Sequence, residues 1–278
     1  MNNYSQRLLT QKTETMTDLK GKNIIVTGAG MGLGLAASIE FATQGANVLL
    51  VDYNEQALDD AKKQVSEKNP NGKIAIALAD VSNEEQVKAY VKQATDTLGS
   101  IDGFYNNAGI EGRQAPIAEY DVNVFRKVID INLFGVYYGL RYVLPIMQAQ
   151  GKGHIVNVAS VGGIRGVLNQ MPYVASKHAV AGMTKNVALE YARHGIVANA
   201  IAPGAILTPM VAEAFKQVNP ADPKAAESEY AKANPTKRLG LPVEVAKLVA
   251  FLLSDDCTYV NGQIIAIDGG ESNSYGNV

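Results

Sequence analysis

Tyr173 and Lys177 stand four residues apart in a stretch with helical spacing, which puts a phenol and an ammonium on one helix face. A free tyrosine titrates near ~10, too high to exchange protons readily at neutral pH. A neighbouring cation favours the phenolate and brings it towards working pH, as a general acid/base requires. Ser160 closes an apolar run thirteen residues before Tyr173, where its hydroxyl would hydrogen-bond a reacting carbonyl oxygen. Asn132 lies inside a long helical stretch, where asparagine is intrinsically poor; an internal amide there points to a bound water or a helix irregularity. Tyr-x-x-x-Lys alone is common on solvent-facing helices. The pair carries weight only in this company.

A second group of residues suits a dinucleotide. Thr27-Gly28-Ala29-Gly30-Met31-Gly32-Leu33-Gly34 follows an apolar run and opens a helical one, with G-x-x-x-G-x-G spacing at Gly28, Gly32 and Gly34. Such a turn lets backbone N–H groups and a helix N-terminus meet a pyrophosphate. Asp52 ends the next apolar run, where a carboxylate accepts from ribose hydroxyls and repels a 2′-phosphate; helix N-capping is the alternative use of the same side chain. Met31 in the glycine turn, and Tyr53 and Asn54 after Asp52, offer no cation for that phosphate, so NAD is expected over NADP. Asp80-Val81 and Asn106-Asn107-Ala108-Gly109 end two further apolar runs, where an adenine pocket would lie.

The elements that must carry these residues alternate along the chain. Apolar runs at 23–27, 47–51, 73–79, 101–105, 154–159, 196–202 and 263–267 read as strands buried on both faces. Helical patterns fill 32–44, 55–68, 84–98, 122–150, 171–194 and 244–253. The expectation is an α/β fold: one doubly wound, Rossmann-type parallel sheet with helices on both faces, placing ligands at the carboxyl ends of its strands. Residues 1–18 read as a flexible arm and 19–278 as a single catalytic domain. Within it, 206–241 carries Pro209, Pro220, Pro223 and Pro235 and is expected to hold one or two short helices over the site.

Composition removes several classes. A net charge of -2 gives no footprint for nucleic acid or an anionic membrane. No apolar run approaches a membrane span and no apolar leader opens the chain, so a cytoplasmic location is expected. Cys257 is the only cysteine, and His154, His178 and His194 lack metal-ligand spacing; no metal site is expected.

Taken together and in order, the glycine turn, Asn106-Asn107-Ala108-Gly109, Asn132, Ser160, Tyr173-x-x-x-Lys177 and Pro203-Gly204 resemble the short-chain dehydrogenase/reductase family over about 19–270. The resemblance implies Tyr173 as general acid/base, Lys177 on the nicotinamide ribose, Ser160 on the substrate oxygen and Asn132 in a water-linked proton relay. It also implies that Asp80 and Val81 touch adenine, Asn107 the adjacent ribose, and Pro203, Gly204, Ile206 and Thr208 the nicotinamide. A homotetramer built partly through 122–150 and 171–194 follows from the same likeness. Segments 107–112, 160–166 and 202–206 resemble family members that reduce cyclic ketones.

The expected substrate is a ketone or secondary alcohol, contacted by Ser160, Val161, Asn169, Tyr173, Leu207, Met210 and Phe215. Arg165 is nearly the only charge among these segments, which favours a neutral, fairly apolar molecule. Two other readings stand beside this one. A 3-oxoacyl-carrier-protein reductase would need NADPH and a basic patch, towards which Arg165 and Lys237-Arg238 could contribute. A dinucleotide-sensing protein without turnover would have no need of the full tyrosine–lysine–serine set.

Overall fold

The computed structural model describes residues 18–274, so the expected arm at 1–18 falls almost wholly outside the described residues, as do 275–278. Seven strands form one parallel sheet in the order β3-β2-β1-β4-β5-β6-β7. They are β1 (Asn23–Thr27), β2 (Asn47–Asp52), β3 (Ile74–Leu78), β4 (Gly103–Asn106), β5 (Gly153–Val158), β6 (Ile196–Pro203) and β7 (Ile264–Ile267). The helices are α1 (Gly32–Thr43), α2 (Glu55–Lys68), α3 (Glu84–Leu98), α4 (Val122–Ile129), α5 (Gly135–Gln150), α6 (Met171–Tyr191), α7 (Pro209–Val218), α8 (Pro223–Ala233) and α9 (Pro242–Leu253). This is the doubly wound α/β architecture.

Side chains alternate across the sheet with the period of the pleat. Ile24, Val26, Val48 and Leu50 enter one apolar cluster with Phe41 of α1 and Val249 of α9. Ile25, Leu49 and Val51 enter another with Val91 of α3, Leu140 of α5 and Val180 of α6. Both faces are therefore covered, which is why the strands read as continuous apolar runs rather than alternating ones. Strand order reverses between β1 and β4, so the segments leaving their carboxyl ends part and open a crevice. The glycine turn leaves β1 there and Asn107 leaves β4.

Several boundaries differ from those expected. The stretch at 122–150 is not one helix: a π turn at Asp130–Phe134 separates α4 from α5, and Asn132 lies fully buried in it. The helix expected at 171–194 ends at Tyr191 and tightens into a 3-10 turn. β4 starts at Gly103 because the backbone of Ile101 is held on both sides by the Gln150 amide, at 3.0 and 2.8 Å. α9 starts at Pro242, whose fixed φ suits a first helical position. Residues 206–241 hold the two short helices α7 and α8.

Candidate active site

The catalytic candidates come from three elements that converge beside β5. Ser160 follows β5 and opens a 3-10 turn at Val161–Gly163; its Oγ accepts from the Gly162 N–H at 3.1 Å and lies close enough to the Tyr173 phenol to lower its pKa. Tyr173 and Lys177 lie one turn apart on α6, with Lys177 Nζ 5.5 Å from the phenol ring centroid. Lys177 is 3% exposed and its Nζ donates to the Val158 carbonyl at 2.8 Å. Gly163 permits this packing, since a Cβ there would come within 2.8 Å of the Lys177 carbonyl oxygen.

Asn132 is tied to the segment after β4. Its Oδ1 accepts from the Ile110 N–H and its Nδ2 donates to the Ile110 carbonyl, both at 2.8 Å. Nδ2 also reaches Ser176 Oγ at 3.2 Å, and that hydroxyl donates to the Tyr173 carbonyl at 2.7 Å. The amide expected to mark a water or an irregularity thus sits in an irregularity, where it engages Ile110 and Ser176.

Burial sets the electrostatics. It pushes the Tyr173 phenol above its ordinary value, the Ser160 hydroxyl pulls it back, and the charge of Glu111 raises it further. Burial also pulls the Lys177 ammonium down to about 8. The simple expectation of an ammonium lowering the phenol is therefore incomplete: in this structure desolvation is the larger influence on both groups.

Glu111 is a residue that sequence reasoning passed over. It stands two residues past Gly109, and its Oε1 accepts from Gln114 Nε2 at 3.1 Å and Gln170 Nε2 at 2.5 Å. Burial pushes its carboxyl up to about 6, against the pull of the Gln114 hydrogen bond. A lone carboxylate shortly after a strand end at the crevice was the available signal.

The cofactor candidates line the crevice. Gly34 has no room for a side chain, because a Cβ would meet the Gly28 carbonyl oxygen at 2.0 Å; Gly28 itself takes φ +64°. No side chain caps the N-terminus of α1, where Met31 precedes Gly32 and Leu33, and its first turn holds no acidic residue. That leaves free N–H groups and the positive end of the helix dipole for an anion. Asp52 is 8% exposed and accepts from the Gly30 and Asn54 N–H groups at 2.9 and 3.1 Å. It does not cap α2; Asn54 does. The cradle, the open helix end and the carboxylate beside it fit a dinucleotide.

The remaining positions divide. Asn107 Nδ2 donates to the Thr27 and Gly28 carbonyls, while the N–H groups of Asn107 and Ala108 bond Thr27 Oγ1, so this side chain clamps β4 to the glycine turn. Gly109 lies where Asn132 and Lys177 meet: a Cβ would be 3.1 Å from Asn132 Oδ1 and 3.4 Å from Lys177 Nζ. Asp80 is exposed and accepts from Ser82, whereas Val81 is buried against Gly135. Pro203 ends β6, the Gly204 N–H donates to the Ile267 carbonyl at 3.1 Å, Ile206 is buried, and Thr208 caps α7. Of the substrate candidates, Leu207 and Met210 are 50% and 40% exposed. Asn169 is exposed at φ +62° and its carbonyl accepts from Ala115. Val161 and Phe215 are buried, Phe215 with its ring centroid 5.7 Å from that of Tyr230. Arg165 pairs with Glu271.

Known proteins resemble the chain over nearly its whole length. A family profile described as enoyl-(acyl carrier protein) reductase matches residues 28–272. Levodione reductase of Leifsonia aquatica is 49% identical over 96% of this chain and 100% of its own, and a solved levodione reductase superposes with a TM-score of 0.91 at 50% identity, covering 92% of this chain and 99% of that one. Cyclohexanol dehydrogenase of Acinetobacter sp. (strain SE19) is 42% identical over 89% of this chain and 94% of its own. A solved NAD+-bound xylitol dehydrogenase has a TM-score of 0.87 at 34% identity, covering 91% of this chain and 99% of that one.

Proposed function

The chain belongs to the short-chain dehydrogenase/reductase family, and from that premise we propose that it is an NAD-dependent oxidoreductase interconverting a cyclic secondary alcohol and its ketone. The observation that carries the reading is the meeting of Ser160, Tyr173 and Lys177 at the end of β5, beside the glycine crevice. Cyclic substrates are supported by the likeness to a cyclohexanol dehydrogenase and by the apolar, exposed Leu207 and Met210 on the segment after β6.

In the oxidative direction the substrate hydroxyl is held between Ser160 Oγ and the Tyr173 phenol. Tyr173 in its phenolate form takes the hydroxyl proton while Ser160 donates a hydrogen bond to the oxygen that becomes the carbonyl. Lys177, steadied by the Val158 carbonyl, keeps a positive charge near the phenolate. A bound nicotinamide supplies the acceptor for the hydride leaving the carbinol carbon. Asn132, its amide committed to Ile110 and Ser176, holds the π turn in register beneath Lys177; the water-linked relay expected of it would use its backbone. Reduction runs the same steps backwards.

Gly28, Gly32 and Gly34 with the open end of α1 would hold the pyrophosphate, and Asp52 the adenosine ribose. NAD is favoured over NADP because Asp52 brings a charge that a 2′-phosphate would meet, while the neighbouring Met31 is uncharged. The proposal includes a cytoplasmic homotetramer with 19–278 as one catalytic domain. Phe134 at the π turn, Tyr137 on α5 and Leu189 on α6 offer exposed apolar surface of the kind that subunits bury. Among the described residues, no helix is long and apolar enough to cross a membrane.

The acyl-carrier-protein reading is weakened by the same structure. Arg165 pairs with Glu271, and Arg238 forms a two-point bond with Glu244 at 2.7 and 2.8 Å. Arg165 and Arg238, on which a basic patch would draw, are thus already neutralised. The deciding experiment is a panel of cyclic ketones, secondary alcohols, sugar alcohols and an acyl thioester, each assayed with NAD(H) and NADP(H). Turnover of cyclic substrates with NAD(H) supports the reading; turnover confined to the thioester with NADPH, or none with any substrate, overturns it.

A further inference from the structure

Three residues from distant parts of the chain meet at one carboxylate. Glu271 lies in the 3-10 turn after β7, and its side chain is 12% exposed. Its Oε1 accepts from the Arg165 guanidinium and, at 2.7 Å, from the Tyr230 hydroxyl. Arg165 stands two residues past the turn that Ser160 opens, and Tyr230 lies on α8. The Tyr230 ring packs edge to face on Phe215 of α7, so the carboxylate is joined to both short helices. Glu271 Oε2 is buried without a hydrogen-bond partner, and a Cβ on Gly204 would come within 3.1 Å of it. Gly204 thus leaves the space into which the carboxylate fits, on the segment proposed to meet the nicotinamide. Burial and the Glu271 charge both push the Tyr230 phenol up, so its hydroxyl stays a donor across the neutral range.

Each of these contacts holds a different wall of the proposed pocket. Arg165 fixes the turn behind Ser160. Tyr230 fixes α8 and, through Phe215, α7, which begins right after Thr208. Oε2 already lacks a partner, so losing either donor on Oε1 would leave this largely buried carboxylate with one hydrogen bond fewer still. We propose that Glu271 is a positioning residue for the substrate, gathering Arg165 and Tyr230 so that the Ser160 turn and the α7–α8 cap close against Gly204. What the pocket holds rests on the oxidoreductase reading; the closure itself does not.

The test uses the full chain with saturating NADH and the variants Tyr230→Phe, Glu271→Ala and Glu271→Gln. Amide hydrogen exchange of 209–233 is followed together with KM and kcat for a cyclic ketone and the Kd of NADH. Tyr230→Phe and Glu271→Ala should speed exchange across 209–233 at least tenfold and raise KM at least fivefold, with kcat and NADH affinity within twofold of wild type. Glu271→Gln should recover most of the loss, because an amide oxygen still accepts from both donors. Unchanged exchange and KM in Tyr230→Phe would overturn the proposal. Should Glu271→Ala fail to fold, Tyr230→Phe decides alone, since it removes one hydroxyl and keeps the ring on Phe215. If the wild type turns over no alcohol or ketone, the oxidoreductase reading fails, and exchange in Tyr230→Phe still decides the closure: faster supports it, unchanged overturns it.

Discussion

The Tyr173 phenol, already raised by burial, feels the charge of Glu111, which raises it further against the pull of Ser160. Glu111 itself is pushed up to about 6 by burial, so it ionises within the pH range where such an enzyme works. As pH climbs through that value the carboxylate gains charge and makes the phenolate harder to form. Glu111→Gln removes the charge and keeps an oxygen that can accept from Gln114 and Gln170. The pH profile of kcat/KM for alcohol oxidation should therefore move to lower pH in this variant. A profile that stays put, or moves up, would show that the two groups are not coupled.

Tyr173→Phe deletes one hydroxyl from a half-buried ring and leaves its packing. Turnover should fall by about 10²–10⁴, the usual range for losing a general acid/base, while NADH binds within about threefold of wild type. Stopped-flow hydride transfer and NADH fluorescence titration separate the two effects. A variant retaining more than a tenth of the wild-type rate would remove Tyr173 from its assigned role.

Lys177 links activity to stability. Burial lowers its folded value to about 8 from 10.5, so between those limits the unfolded chain holds a proton that the folded one lacks. The cost of burying this group is therefore felt in full below about pH 8 and is relieved as pH rises towards 10.5. Relative to Lys177→Met, wild type should gain up to about 3 kcal/mol across that window, each tenfold change in the protonation ratio being worth ~1.4 kcal/mol. Paired thermal melts from pH 7 to 10 read the difference directly. A gap that is constant with pH would contradict burial as the cause of the lowered value.

Asp52→Asn keeps an oxygen for the Gly30 N–H and removes the charge. The preference for NAD over NADP, measured as a ratio of kcat/KM values, should fall by about tenfold, equivalent to ~1.4 kcal/mol. An unchanged ratio would place cofactor choice elsewhere.

Much of this site was legible in the sequence because its parts announce themselves locally. Glycine spacing after a strand, a tyrosine and lysine one helical turn apart, and an asparagine where a helix should reject one each carry a short-range signature. The sheet was equally open to reading, since strands covered on both faces become unbroken apolar runs. What stayed hidden depends on contacts between remote segments. Arg165, Tyr230 and Glu271 are 65 and 41 residues apart in turn, and nothing near any of them marks the other two. Glu111 was visible as a residue, but its raised carboxyl comes from burial beneath neighbours contributed by other loops. The break at Asp130–Phe134 was foreshadowed by Asn132, yet its π form was not, because hydrophobic spacing alone does not separate an inserted residue from a continuous helix.

That break also sets the phase of the two helices it joins. Val128 and Val136, both buried, are eight residues apart, which in a continuous α-helix turns them about 80° out of line. A π turn absorbs one residue, and seven α-helical steps bring the same pair to within about 20°. The extra residue is therefore silent in rotation: α4 and α5 present their apolar sides as though it were absent. Removing one residue from 130–134 would leave an unbroken helix with both valines still in line. What such a deletion would erase is the place of the Asn132 amide against Ile110, so the insertion serves that contact rather than the packing of the core.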